Sequence, residues 1–389
     1  MGIQYIDKIE DAVQWSMAQA LEFWRTTDIP QSPSAWLYRV AYRYLLSEIK
    51  TAKHRKLLLK EYSELKPNNS YFCEEDVFSN ELSDSMLRML FVTCHCEIPL
   101  ESQLVFTLKS ICGFNIREIA QRLFITEANV YKRFSRAKKI LQNQSLALDD
   151  FEDSEVIARL PAVHRVLYLV FTEGYLSSNV EMAIRRDLCE EAIRLTKLLA
   201  VSKFGDVTNT HALLALMYFH LARINARQDD LGALLLLSQQ DRSMWDRGYI
   251  NLGLDSLNKS VQGENISHYH IEAGIAAAHC IAPSFEQTKW KDIVAAYKLL
   301  HNISPSPLHF LNEAIATAEW KSPEEGLAVL QSIEKPAWLT NSYYWYTVKA
   351  DLLLRSGEIT KSLKYAKLAI QLAPNKSIKK LLTKRLSPN

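Results

Sequence analysis

One short stretch of the chain, Glu127–Leu141, combines residue types that contact DNA with the periodicity of a helix. Its apolar residues recur at helical spacing and predict the buried stripe of an amphipathic helix, namely Val130, Phe134, Ala137 and Leu141. The other side chains are expected to face outward: Glu127, Asn129, Tyr131, Lys132, Arg133, Arg136, Lys138 and Lys139. Arginine, lysine and asparagine bind phosphates or base edges, so this pattern offers the chemistry of nucleic-acid recognition.

A helix-turn-helix is predicted from the residues that come just before this stretch. Asn115 can cap a short helix whose Glu118 completes a capping box, and the small side chain of Ala120 permits a close crossing of the two helices. Thr126 is then expected to cap the second helix. The residues of the first helix that should face inward are Ile116, Ile119, Ala120 and Leu123.

The two ends of the second helix have different expected roles. Residues in the first turns of a recognition helix reach base edges in the major groove, whereas later basic residues lie near phosphates. The candidate base-reading residues are Glu127, Asn129, Lys132 and Arg133, and the candidate phosphate-binding residues are Arg136, Lys138 and Lys139. The alternative interpretation is a solvated basic helix that packs on its neighbour.

A second pattern suited to nucleic acid lies near the start of the chain. Apolar residues recur at helical spacing over Asp7–Trp24, and Pro33 separates this predicted helix from another that runs from Ala35 to about Lys56. The second helix interleaves aromatic and basic residues, which suits single-stranded DNA because bases stack on rings while cations hold the backbone. We expect Trp36 to pack in the core. The candidate contact residues are Arg39, Tyr42, Arg43, Tyr44, Lys50 and Lys53.

Composition favours an all-α protein of more than one domain. The chain has 389 residues, of which 48% are hydrophobic and 23% are charged, as is typical of globular proteins. Only 11 glycines and 12 prolines argue against sandwiches and barrels, which need many tight turns. The formal net charge is only +2, but basic residues cluster at Arg39–Lys60 and Lys109–Lys139. Contact with a polyanion at two points is therefore expected.

The sequence gives no indication of a membrane anchor, a cofactor or an enzyme. No apolar run approaches roughly 18 residues, so we expect a cytoplasmic protein. Nucleophile-elbow, Walker and dinucleotide-binding motifs are absent, and we expect neither catalysis nor a cofactor. Cys94-His95-Cys96 comes nearest to a metal motif, but it lacks a further pair of ligands, so buried thiols are the simpler interpretation and no metal site is expected.

The helix-turn-helix segment Gly113–Leu141 resembles region four of the sigma-70 family of bacterial transcription-initiation factors, and Asp7–Tyr44 resembles region two. The segments Arg159–Tyr175, Leu188–Leu195 and Asp241–Asp246 resemble the C-terminal extension of one subfamily of the extracytoplasmic-function type, whose members end in a tetratricopeptide-like domain. The resemblance covers nearly the whole chain. Members normally have one more helix before the region-two segment, so we expect region two to be shortened at its start.

This resemblance implies partners and contacts. Such a protein would be a dissociable subunit of RNA polymerase that binds promoter DNA and the beta-prime clamp and beta flap of the core enzyme. Asp11 and Gln14 would face the clamp, and the helix from Ala35 to Lys56 would face the minus-ten promoter element. The recognition helix would read the minus-thirty-five element. The implied function is to direct core polymerase to specific promoters and to help initiate transcription.

The chain is expected to contain four segments. These are a region-two domain at 1–62, an acidic linker at 63–81, a region-four domain at 82–145 and a helical tetratricopeptide-like regulatory domain at 146–389. The last segment has a rough internal period of about 34 residues, the tetratricopeptide length, in which Ala316 matches Ala350. Helical arrays bind peptides or proteins on a concave surface. We expect this one to dock onto the DNA-binding part of its own chain.

Polar residues in apolar surroundings mark further candidate sites in the extension. Buried polar groups must be paired, so one interpretation is a set of salt bridges and hydrogen bonds that hold the extension together. The other interpretation is a pocket for a small ligand or a partner. The residues concerned are Glu173, Tyr175, Asp241, Arg242, Trp245 and Asp246.

Two rival functions remain open from the sequence. A one-component repressor or activator would use the same helix-turn-helix without joining polymerase, although such a protein has no use for the aromatic and basic helix near the start of the chain. The second rival function is a peptide-binding tetratricopeptide-like scaffold whose N-terminal part is vestigial. Co-elution with core polymerase, together with RNA that starts at one site, would favour the sigma factor over both.

Overall fold

A computed structural model describes residues 6–60, 85–143, 153–177, 182–229, 233–262, 265–332, 337–340 and 342–387. These residues form 18 α-helices and contain no β-strand, which confirms the predicted all-α class. The predicted linker at 63–81 lies outside the described residues. None of the described helices combines the length and the hydropathy needed to span a bilayer.

The chain divides into two compact units. The first consists of Met1–Phe78 and Arg136–Phe151, and the second of Ser79–Ser135 and Glu152–Asn389. The first unit is built on α1 (Ile6–Phe23), α2 (Pro33–Lys60) and the C-terminal part of α6 (Glu127–Asn143). Its buried residues include Ala12 of α1, Leu45 of α2, and Ala137 and Leu141 of α6.

The second unit begins with the helices that carry the helix-turn-helix. They are α3 (Ser85–Thr93), α4 (Leu100–Ser110), α5 (Ile116–Arg122) and the N-terminal part of α6. Phe106 of α4 is fully buried and stacks on Phe134 of α6, with 5.4 Å between ring centroids. This contact anchors the recognition helix on the helices before it.

Six helices follow in the second unit, and four of them surround α9. Almost every residue of α9 is buried, because it packs against α7, α8, α10 and α11 and is apolar around its whole circumference. Gly253 allows α10 to approach closely, since a Cβ atom there would lie 2.7 Å from the ring of Phe219. The helices are α7 (Asp153–Tyr175), α8 (Arg186–Ala200), α9 (Thr208–Ala222), α10 (Arg247–Ser260), α11 (His268–Ile281) and α12 (Trp290–Ile303).

The last six helices of the second unit include two hairpins, α13 with α14 and α16 with α17. Ser306 and Ser322 cap α13 and α14, and each is followed by a proline at the first helical position, where no backbone N–H is needed. Ala316 and Ala350, matched in the sequence repeat, are both buried. The helices are α13 (Pro307–Trp320), α14 (Pro323–Gln331), α15 (Ala337–Thr340), α16 (Tyr343–Arg355), α17 (Ile359–Leu372) and α18 (Lys376–Leu386).

Candidate DNA-binding site

The first helix of the helix-turn-helix starts with the predicted capping box. The Asn115 side chain accepts a hydrogen bond from the Glu118 backbone N–H at 2.9 Å, and the Glu118 carboxylate accepts one from the Asn115 N–H at 2.8 Å. Gly113, at the turn before it, has a φ of +71°, which only glycine adopts readily. Ile119 and Ala120 are buried, as expected for the inward face of α5. Local sequence therefore sets the start and the direction of this helix.

The turn between α5 and α6 is closed by backbone and side-chain hydrogen bonds. The Ile125 N–H donates to the Ala120 carbonyl at 3.0 Å. Thr126 caps α6 as predicted, since its hydroxyl accepts from the Asn129 N–H at 3.3 Å. Phe124 has a φ of +54°, a conformation that residues other than glycine seldom adopt. Its ring lies against Trp338, with 4.3 Å between ring centroids, so the turn is held by an aromatic residue of the extension.

Most of the predicted outward residues of α6 are accessible. The side of the helix opposite the buried stripe exposes the following candidates: Glu127, Asn129, Tyr131, Lys132, Arg136 and Lys139. Arg133 is partly covered, and it forms an ion pair with Glu101 of α4 at 2.6 Å. Because Glu101 is itself 68% exposed, this pair is a weak surface interaction that a DNA phosphate or base can replace.

Lys138 differs from the other candidates on α6, because it is paired within the first unit. Its ammonium group contacts the carboxylates of Asp7 and Glu10, and Gln142 donates to Asp7 at 2.6 Å. The hydrogen bond from Lys138 lowers the pKa of Asp7. Burial disfavours the charged form of Lys138, but its bonds to Asp7 and Glu10 outweigh this and raise its pKa. This ion pair ties α1 to the end of α6.

The aromatic residues of α2 fall into two groups. Trp36 is partly buried and packs against Trp24, with 5.5 Å between ring centroids. Tyr44 stacks on Trp15 of α1 with centroids 4.8 Å apart. Tyr38 and Tyr42 instead stack on each other at 5.9 Å and are 70% and 42% exposed. A pair of accessible rings on one face is thus available to unpaired bases.

The charged candidates in the first unit are placed as follows. Arg39 and Arg43 of α2 are exposed beside the two accessible tyrosines. Asp11 and Gln14 of α1 are exposed too. The side chains of Lys50 and Lys53 lie outside the described residues, although their backbone is part of α2.

The extension packs directly on the helix-turn-helix in the second unit. Arg122, the last residue of α5, donates to the Glu173 carboxylate at 2.9 Å through Nε and to the Leu176 carbonyl at 2.7 Å through Nη2. Arg185 lies 3.5 Å from Glu118, the capping residue of α5. Arg159 donates to the Phe91 carbonyl of α3 at 3.1 Å. None of these long-range pairs has a local sequence signal.

A cavity of about 490 Å³ opens beside the turn of the helix-turn-helix. Its walls come from the turn and the start of α6 on one side and from the end of α7, α15 and the α16–α17 hairpin on the other. The lining residues include Phe124, Thr126, Asn129, Trp338, Tyr344 and Leu372. Asn129, a candidate base-reading residue, therefore shares a cavity with the extension.

The predicted pocket residues of the extension do not form one group. Glu173 is fully buried and pairs with Arg122, while its other oxygen accepts from Ser177 at 2.9 Å. Asp241 and Asp246 cap helices by accepting from the N–H groups of Ser243 and Tyr249. These three carboxylates therefore make the structural contacts that the first of the two interpretations expects.

Tyr175, Arg242 and Trp245 lie together with residues that sequence reasoning missed. Arg227 stacks on the Tyr175 ring, with 3.6 Å from Cζ to the centroid, and Arg242 lies 4.4 Å above Trp245. Arg223 approaches the same Trp245 ring at 5.8 Å. The described residues hold no cluster of three or more side chains arranged to bind a metal, and Cys94 is buried whereas Cys96 is exposed.

Comparison with known families identifies two segments of the chain. The model of sigma-70 region 4 matches residues 88–141, which run from α3 into α6 and include the helix-turn-helix. The model of a family of unknown function, DUF6596, matches residues 159–261, which span α7 to α10. The region-four resemblance is therefore confirmed, and the segment that packs against it belongs to a family without an assigned role.

One relative matches almost the whole chain. An uncharacterized protein from Rhizobium meliloti (strain 1021) is 31% identical over 374 residues, which are 96% of this chain and 88% of the relative. No solved structure matches the chain. The chain therefore belongs to the same family as the Rhizobium meliloti protein, and its residues 88–141 are similar to region 4 of the sigma-70 factors.

Proposed function

We propose that the protein is an RNA polymerase sigma factor of the extracytoplasmic-function type, which directs core polymerase to specific promoters and is regulated by its C-terminal extension. The observation that carries this proposal is the exposed polar and basic face of α6, in a helix-turn-helix that matches sigma-70 region 4. A protein with this role acts in the cytoplasm and is not an enzyme in its own right.

In this proposal the recognition helix has two sets of residues, one that contacts base edges and one that binds phosphates. Glu127, Asn129, Lys132 and Arg133 lie in the first two turns of α6, where side chains reach base edges of the minus-thirty-five element. Tyr131 is exposed on the same turns. Arg136 and Lys139 lie further along and would bind phosphates, and Lys138 would exchange Asp7 and Glu10 for a phosphate.

The substitution Arg133→Ala tests whether Arg133 contacts bases of the minus-thirty-five element. It should weaken binding to the specific element by roughly 1 to 3 kcal/mol and relax the preference at one position, while binding to random DNA changes little. Lys139→Ala is the matched control. Loss of a phosphate contact weakens binding to all DNA sequences alike, and it lowers the steepness of log K plotted against log salt concentration by about 1. Competition binding at several salt concentrations measures both effects. If Arg133→Ala leaves the ratio of the affinity for the specific element to the affinity for random DNA unchanged, Arg133 does not contact the bases.

Promoter opening is assigned to the exposed face of α2. Arg39, Tyr42 and Arg43 lie on that face, where an unpaired base of the minus-ten element can stack on a ring while cations hold the backbone. Lys50 and Lys53 continue the same helix toward its end. Tyr44 has a different position, since its ring is occupied by Trp15.

The substitutions Tyr42→Ala and Tyr44→Ala should therefore differ in their effects. Tyr42→Ala should keep duplex binding and the thermal midpoint close to those of the wild type and reduce open complexes, since stacking contributes roughly 1 to 3 kcal/mol per base. Tyr44→Ala should lower the thermal midpoint, because it removes the stack on Trp15. Permanganate footprinting measures the melted bases. Normal promoter melting with Tyr42→Ala would show that this face of α2 does not take part in promoter opening.

Polymerase binding is assigned to α1, by way of Asp11 and Gln14. The support is an exposed apolar stripe on the same helix, in which Val13, Met17 and Leu21 are 40%, 54% and 71% exposed. Exposed apolar residues in a row, flanked by polar ones, are typical of a protein interface. The beta-prime clamp would cover this stripe, and region four would meet the beta flap.

The extension is proposed to regulate the recognition helix by contact. Its support is the pair of Arg122 with the buried Glu173 and the cavity that Asn129 shares with α16 and α17, the second of the two C-terminal hairpins. We propose that these hairpins are a tetratricopeptide-like domain that takes a peptide or protein partner. The segments 1–62, 63–81, 82–145 and 146–389 remain the proposed functional divisions of the chain.

Assembly with core polymerase tests the proposed function. The full chain is mixed with core RNA polymerase and fractionated by size, with and without double-stranded promoter DNA. Co-elution with the core enzyme is the expected result, and the introduction of a negative charge into the exposed apolar stripe (Leu21→Glu) should weaken the binding at least tenfold. Sequence-specific DNA binding without any co-elution would instead identify a one-component regulator.

A further inference from the structure

Three arginines converge in the interior of the extension, away from the DNA-binding face. They are Arg223 at the end of α9, Arg227 just after the short 3-10 helix that follows α9, and Arg242 in the 3-10 helix before α10. Arg223 is buried, and the other two are half-buried. This arginine cluster lies inside the DUF6596 segment, for which no role is known.

Aromatic rings and backbone carbonyls hold the arginine cluster in place. Arg227 stacks on Tyr175 and donates to the carbonyl of the same residue. Arg242 donates to the carbonyls of His279 and Ala282 at 2.8 and 2.7 Å. Arg223 donates to the Nδ1 atom of His220 at 2.8 Å. All of these partners are neutral.

The described residues balance little of the charge of the cluster, since the exposed carboxylate of Glu286 interacts electrostatically with Arg242 without forming an ion pair. No carboxylate lies within ion-pair distance of any of the three guanidinium groups in this part of the chain. The ends of α7, α9 and α11 meet here, and each helix C-terminus contributes roughly −0.5 of an elementary charge. Three such ends offset about half of three positive charges.

The neighbouring histidines respond to this excess of positive charge. Burial, followed by the charges of Arg223 and Arg242, lowers the pKa of His279 to about 3. Burial and the charges of Arg223 and Arg227 also lower the pKa of His220 well below its usual value. Both imidazoles are therefore neutral near neutral pH and add no charge of either sign.

Hydrogen-bond donors at the same place lack acceptors. The Nε of Arg223, the Nη2 of Arg242 and the indole Nε1 of Trp245 are buried and have no acceptor among the described residues. Arg223 and Trp245 are only 6% and 3% exposed, so bulk water does not satisfy them. A buried donor without an acceptor is costly. Two of these donors belong to guanidinium groups that lie over the Trp245 ring and the third is the N–H of that ring, so an acceptor group bound at this place would stabilise the fold.

We infer that the arginine cluster, at the C-terminal ends of α7, α9 and α11, is a binding site for an oxyanion, the phosphate or carboxylate group of a small molecule. Planar guanidinium groups bind such oxygens in pairs, and an indole N–H donates to a further oxygen. The bound anion supplies both the negative charge and the acceptors that the site lacks. This site is independent of the proposed role at promoters and assigns a ligand class to the DUF6596 segment.

Thermal unfolding of the full chain tests this site directly. The midpoint is followed against increasing inorganic phosphate in one arm and increasing citrate in the other, at fixed ionic strength. A ligand that binds only the folded state raises the midpoint along a saturable curve. We expect such a curve with at least one of the two anions, and the better of the two identifies the group as phosphate or carboxylate.

Variants separate the site from general charge effects. Arg223→Gln and Arg242→Gln should each weaken the apparent affinity for the anion at least tenfold. Trp245→Phe, which keeps a ring and removes the N–H, should weaken it severalfold. Lys259→Gln is the matched control, since Lys259 is exposed near the far end of α10 and should leave the curve unchanged.

Two results would overturn the inference. One is a wild-type midpoint that does not respond saturably to either anion, and the other is an Arg242→Gln curve equal to that of the wild type. If Arg223→Gln does not fold, Arg242→Gln and Trp245→Phe decide the outcome. The measurement uses neither polymerase nor DNA, so its failure is distinct from a failure of the promoter role.

Discussion

Replacing Arg122 by alanine should lower the free energy of unfolding of the second unit by about 3 to 5 kcal/mol. Its guanidinium is hydrogen-bonded to Glu173, a carboxylate with no solvent exposure, and to the backbone carbonyl of Leu176. Without Arg122 the buried Glu173 carboxylate loses its cationic partner and keeps the hydrogen bond from the neutral Ser177 hydroxyl at 2.9 Å. Removing one partner of a buried pair is far more costly than losing a surface ion pair. Urea denaturation of the full chain measures the loss.

Two matched variants control this prediction. Arg122→Met combined with Glu173→Leu removes both charges and should recover most of the lost stability, because an apolar pair of similar volume often replaces a buried ion pair at little cost. Arg186→Ala breaks the exposed pair of Arg186 with Glu190 and should cost about 0.5 kcal/mol or less. Equal losses in Arg122→Ala and Arg186→Ala would show that Arg122 does not link α5 to the extension.

The stability of the second unit should fall as the pH is lowered from about 6.5 to 4. His164 of α7 is 3% exposed and hydrogen-bonded to Thr210 at 2.7 Å, and burial lowers its pKa to about 4. In the unfolded chain its pKa is about 6.5, so within this window the unfolded state takes up a proton that the folded state does not. The difference corresponds to about 3 kcal/mol of stability, present above pH 6.5 and lost as the pH falls to 4.

His164→Gln isolates this contribution to the pH dependence. Glutamine keeps a polar group near Thr210 but does not titrate, so the fall in stability between pH 6.5 and 4 should shrink by up to about 3 kcal/mol. His268, whose pKa burial also lowers to about 4, accounts for part of the fall that remains. Denaturation curves at several pH values give the slopes. If the free energy of unfolding falls with pH equally steeply in the wild type and in His164→Gln, His164 does not account for the pH dependence.

The parts of the fold that the sequence predicts are those set by neighbouring residues. The capping box of Asn115 with Glu118, the cap at Thr126 and the buried stripe of α6 all follow from spacings of three and four residues. The packing of Trp36 is predicted in the same way, and the structure places its ring against Trp24 but leaves it partly exposed. Local rules suffice here because each contact lies within one helix or one turn.

The parts that could not be predicted depend on contacts between distant residues. Arg122 and Glu173 are 51 positions apart, and Lys138 and Glu10 are 128 apart. Helical periodicity places Tyr42 and Tyr44 on the same amphipathic helix but does not show that Trp15 covers only the second of them. The arginine cluster is assembled from the ends of several helices, and no spacing in the chain indicates that those ends meet.

Start-site-specific transcription is the measurement that tests the central proposal most directly. Core polymerase is supplied with the full chain and with templates whose promoter DNA was selected by the assembled complex from a random pool. We predict a single run-off product that requires the chain, that disappears when the minus-thirty-five element is scrambled, and that decreases with Arg133→Ala. A chain that binds the selected DNA but yields no RNA above the level of core polymerase alone would contradict the assignment as a sigma factor.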